Sequence, residues 1–108
     1  MPISAEAPWL NYYGAIPRTL NYPRLTIYQL VAQPARECPD LPAYEFMGRR
    51  TSYRDFLARI DRAALALYTA GIRAGDRVTI CMPTTPQALD CFYALTRIGA
   101  VSNMVPPL

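Results

Sequence analysis

Apolar positions along this chain change period several times after residue 25, and each change marks an element. Thr26 and Gln29 have capping-box spacing, and Ile27, Leu30, Val31 and Ala35 then recur at helical intervals, predicting a helix from about residue 26 to 37. Pro34 falls inside it, where a proline removes one hydrogen bond and crowds the preceding turn, so the helix either kinks there or ends at Gln33. Beyond CPDLP, Ala43 to Met47 alternates with Tyr44 and Phe46 on one side, and Gly48-Arg49 offers a tight turn into Arg50 to Ser52. This reads as a small hairpin.

Ser52 with Asp55 three positions on then opens the clearest helix. Phe56, Ile60, Ala63, Ala64, Leu67 and Tyr68 form its apolar stripe, Asp55 and Arg59 make a pair one turn apart, and Gly71 takes the stop position. After the turn GIRAGD, Arg77 to Met82 predicts a strand with Val78, Ile80 and Met82 on one face and the small Thr79 and Cys81 on the other, both faces covered. Thr85 caps the next helix with Pro86 at its first position. Leu89, Phe92, Tyr93 and Thr96 mark its inner face, Gly99 closes it, and Val101 to Val105 is the next strand. Strand, helix and strand within about 30 residues predict a βαβ unit with parallel strands and a right-handed crossover.

Residues 1–25 show neither period. Pro8, Pro17, Pro23 and Gly14 break the segment, which reads as an extended arm, its Trp9, Tyr12, Tyr13 and Tyr22 lying flat over a core made by later residues rather than serving as a membrane-interface belt. The chain thus divides into an arm (1–25) and an α/β unit (26–108), a hairpin plus a βαβ unit with about three helices. At 108 residues there is room for one domain, which buries roughly 65% of the surface its unfolded chain exposes.

Composition narrows the function. The chain is 52% hydrophobic and 18% charged, a globular composition, although its eleven prolines are about twice ordinary usage. All eleven basic residues are arginine, and with eight acidic residues they leave a net charge of +3. Only Arg49-Arg50 are adjacent, so the charge lacks the clustering of a nucleic-acid footprint. Lysine and histidine are absent, which removes the commonest general base, the P-loop lysine and the Schiff-base lysine. Cys38, Cys81 and Cys91 lack CxxC spacing and read as buried free thiols in a reducing compartment. No apolar run reaches membrane-spanning length and the start MPISAEAP does not resemble a signal peptide, which predicts a cytoplasmic location.

A self-contained enzyme shows a nucleophile with its base, paired carboxylates, a metal set or a phosphate cradle. None is legible here, and no residue is assigned a catalytic, cofactor-binding or metal role. Gly71 and Gly75 match neither the dinucleotide fingerprint nor the P-loop and read as turn glycines. Asp55, Asp61, Asp76 and Asp90 each read as a cap, a turn residue or a solvated surface charge.

The succession of segments nevertheless resembles the opening of fatty-acid CoA ligases in the adenylate-forming, AMP-binding superfamily. IPRTLNYPRLTIYQLV is similar to their lead-in and first helix, AYEFMGRRTSYRDFLARIDRAALAL to their hairpin and second helix, and GIRAGDRVTICMPTTPQALDCFYALTRIGAVSNMVPPL to the strand, helix and strand that follow. The joint occurrence of GDRV, MP-x-T-P and FYAL-x-RIGAV is the most specific part. Pro34 and Pro106-Pro107 depart from the family's usual pattern. The resemblance implies a parent that adenylates a fatty acid with ATP and magnesium and passes the acyl group to CoA. It also implies that the catalytic segments lie beyond residue 108, so that this piece alone is inactive and is prone to self-association through uncovered sheet edges. A stand-alone interaction module, or the same superfamily acting on aryl or amino acids, are the alternatives.

Overall fold

A computed structural model describes residues 7–108. A short 3₁₀ helix, Pro8–Tyr12, lies in the arm. The elements that follow are α1 (Ile27–Glu37), β1 (Pro42–Phe46), β2 (Arg49–Ser52), α2 (Tyr53–Thr69), β3 (Arg77–Cys81), α3 (Pro86–Ile98) and β4 (Val101–Val105). β1 pairs antiparallel with β2, and β3 pairs parallel with β4 across the α3 crossover, as the two periods predicted.

The local signals act as read. Thr26 Oγ1 accepts from the Gln29 amide while the Gln29 side chain accepts from the Thr26 amide, closing the capping box. Ser52 Oγ accepts from Asp55 N at 3.1 Å, and Thr85 Oγ1 from Ala88 N at 3.4 Å. Pro34 does not end α1, which runs on to Glu37; Pro34 O accepts from Cys38 N at 2.8 Å. The hairpin turn is one residue earlier than expected. Phe46 pairs with Arg49, so Met47-Gly48 form a two-residue loop with φ of 50° and 78°, the positive pair that matches strand twist. Gly99 closes α3 at φ 87°, and its conformation lets Ala100 N reach Leu95 O at 3.0 Å.

Two apolar clusters form the core. Val31, Phe56 and Ile60 join α1 to α2, with the Phe56 ring edge-on to Tyr44 and Tyr93 at 5.2 and 5.5 Å. Ile80, Leu95 and Ala100 join the parallel strands to α3, flanked by Val78, Phe92 and Ile98. Several expected inner positions differ. Leu89 is 36% exposed, whereas Ala88, Ala94 and Leu95 are buried, because α3 presents one flank to the strands and another to α2 and its interior is not a single stripe. Ile27 and Leu30 are exposed while Ala32, one position round from Val31, is buried. Tyr68 lies outside the α2 stripe, with the Arg73 guanidinium 3.8 Å from its ring centre.

Within the described part of the arm, Trp9, Tyr12 and Tyr22 are exposed and only Tyr13 is half-buried, so these aromatics do not lie flat over the core as expected; the aromatic slots beside Phe56 are filled by Tyr44 and Tyr93. Among the described residues the parallel sheet is covered on one face only. Val78 and Ile80 pack against α3, but Arg77, Thr79, Cys81, Val101, Asn103 and Val105 are all exposed on the opposite face. Nor are the thiols buried: Cys38 and Cys81 are exposed and Cys91 is half-buried, because Cys38 caps a helix end and Cys81 sits on the bare sheet face.

Leu95 is fully buried, so Leu95→Ala is expected to cost about 2–5 kcal/mol. Leu89→Ala, at a partly solvated site, is expected to cost under about 1 kcal/mol. Urea unfolding of both variants checks the assignment of the inner face of α3.

Candidate functional site

The structure places the four singled-out aspartates in three different settings. Asp55 sits in the first turn of α2 as the donor to its cap, and Asp76 Oδ2 accepts from Arg73 N at 2.7 Å in the turn before β3. Both are local roles. Asp61 and Asp90 instead join separate helices. Asp61 on α2 accepts from the Tyr28 hydroxyl of α1 at 2.9 Å and forms an ion pair with Arg97 of α3, whose guanidinium also lies 5.1 Å from the Tyr28 ring centre. One carboxylate thereby links all three helices.

Asp90 departs furthest from the solvated role expected of it. It is buried on α3, and its Oδ2 accepts from Arg59 Nε at 2.9 Å and Nη2 at 2.6 Å. Arg59 therefore turns away from Asp55, its expected partner one turn back, because a buried carboxylate without a counter-charge costs far more than an exposed helix pair supplies. Asp90 Oδ1 and the Tyr44 hydroxyl are buried without a partner among the described residues.

Titration directions follow from these contacts. Burial, then the hydrogen bond to Asp61, raises the Tyr28 hydroxyl above its ordinary value. The hydrogen bond to Asp90 raises the Arg59 guanidinium, with burial opposing it. Burial, with the Asp90 carboxylate nearby, raises the Cys91 thiol and so disfavours a nucleophilic thiolate. An open groove of about 650 Å³ runs between α1 and α3, lined by Tyr28, Gln29, Gln33, Arg36 and Arg97. A smaller one of about 370 Å³ lies between the hairpin and the start of α3, beside Arg49 and Arg59. Neither brings a nucleophile to a base. Among the described residues no cluster of metal-ligating side chains occurs and no helix is long and apolar enough to cross a membrane. Gly71 and Gly75, at φ 107° and 87°, flank the α2–β3 turn.

The ion pairs join the helices to one another, and the arrangement of hairpin, long helix and parallel βαβ unit defines the class: the N-terminal subdomain of adenylate-forming enzymes. The chain belongs to the AMP-binding enzyme family, which matches residues 31–108. A long-chain-fatty-acid–CoA ligase of Bacillus subtilis is 29% identical over 107 residues, 98% of this chain. An acetyl-coenzyme A synthetase of Magnetococcus marinus is 44% identical over 57 residues, 53% of this chain. The chain spans only 19% and 9% of the length of these relatives. Among solved structures, the Klebsiella oxytoca NpsA N-terminal subdomain in complex with 3-hydroxybenzoyl-AMSN superposes with a TM-score of 0.73 at 26% identity, covering 76% of this chain and 21% of that one.

Sequence reasoning missed Arg59, Arg97 and Tyr28 as linking residues. Their partners lie 31 to 36 positions away, beyond any spacing rule.

Arg59→Ala leaves Asp90 buried and unpaired and is expected to cost about 2–3 kcal/mol, more than the double variant with Asp90→Ala. Urea unfolding of the cycle checks this. The raised Tyr28 hydroxyl has a definite sign: its contribution is complete below the unfolded value near 10 and is lost as pH rises through the higher folded value. Tyr28→Phe is therefore expected to flatten the loss of stability above about pH 10, measured as thermal midpoint against pH.

Proposed function

We propose that this chain forms the N-terminal scaffold of an ATP-dependent fatty-acid CoA ligase. The observation that carries the reading is the extent of the match to the Bacillus subtilis ligase, 98% of this chain, which includes the lead-in before residue 31 that lies outside the family match. The similarity to the acetyl-coenzyme A synthetase is closer per position but covers 53% of the chain. The match over nearly the whole chain, against 86% for a 3-hydroxypropionyl-coenzyme A synthetase of Metallosphaera sedula, is what favours a fatty acid over a shorter substrate.

The reaction of such a ligase has two halves. The acid's carboxylate attacks the α-phosphate of ATP, forming an acyl-adenylate and releasing pyrophosphate; the CoA thiol then attacks the acyl carbon and AMP leaves. Magnesium supplies charge neutralisation at the phosphates. This chain's residues serve that chemistry indirectly. Phe56, Ile60 and Leu95 hold the helices against the sheet, while Arg59–Asp90 and Tyr28–Asp61–Arg97 set their relative positions. The absence of lysine and histidine supports the proposal that the chain alone does not adenylate an acid.

Two assays test this. The 108-residue chain by itself is expected to give no acid-dependent ATP–pyrophosphate exchange. Joined to the remainder of a ligase domain from its own reading frame, it is expected to support exchange with long-chain acids at least tenfold faster than with acetate or benzoate. Faster exchange with acetate or benzoate would overturn the substrate, and exchange by the chain alone would overturn the scaffold role.

A further inference from the structure

We draw no further inference here: the strongest candidate, the groove between the hairpin and the start of α3 where Arg49, Arg50 and Arg59 converge, carries nothing, because Arg50 and Arg59 are already paired with Glu45 and Asp90, Asp55 lines the groove beside them, and nothing in the structure shows what covers it.

Discussion

Helix α3 has to satisfy two neighbours at once, and the rest of the packing follows from that. One flank sets Leu95 against Ile80 and Ala100, joining the helix to the parallel strands it connects. The other turns Tyr93 and the buried Asp90 toward α2, where Phe56 and Arg59 receive them. Small residues make this double contact feasible: Ala88 and Ala94 are buried and keep the helix close on both sides. A buried carboxylate at this crossing is costly unless paired, so Asp90 admits few placements of α2 other than the one that presents Arg59.

The chain's exclusive use of arginine is consistent with these demands. A guanidinium delivers two hydrogen bonds from one plane and stacks on an aromatic face, which a lysine ammonium does not do in the same way. Arg59 uses two nitrogens on one Asp90 oxygen, while Arg97 pairs with Asp61 and leans over the Tyr28 ring. Arg73 lies over Tyr68 and donates to the main-chain carbonyls of Tyr68 and Ile72, holding the turn after α2. These contacts place basic residues in the scaffold between elements. Among the described residues nothing covers the other side of the sheet, where parallel strands are ordinarily covered.

Features governed by neighbours within a turn or two were determined by the sequence itself. Thr26, Ser52 and Thr85 begin helices because each sets a hydroxyl three positions before an unpaired amide, and Gly99 ends one because it tolerates positive φ. Strand alternation and the length of the connection were enough for the hairpin and the parallel pair, and the joint occurrence of GDRV, MP-x-T-P and FYAL-x-RIGAV was enough for the family. The shift of the hairpin turn to Met47-Gly48 is the kind of error local reading makes, since both dipeptides carry the turn glycine.

Only tertiary structure decided which apolar residue of a helix faces inward, which charges meet and which sheet face is left uncovered. Leu89 and Leu95 look alike in sequence, but α3 lies between the strands and α2 at an angle that buries Leu95 and leaves Leu89 partly solvated. Asp55 and Asp90 look alike too. Asp55 stays at its helix start, whereas Asp90 finds Arg59 31 positions away, and burial of that pair outweighs the one-turn interaction that spacing predicts. The physical reason is common to all three: caps and turns act through the main chain over short separations, while burial depends on where distant elements come together.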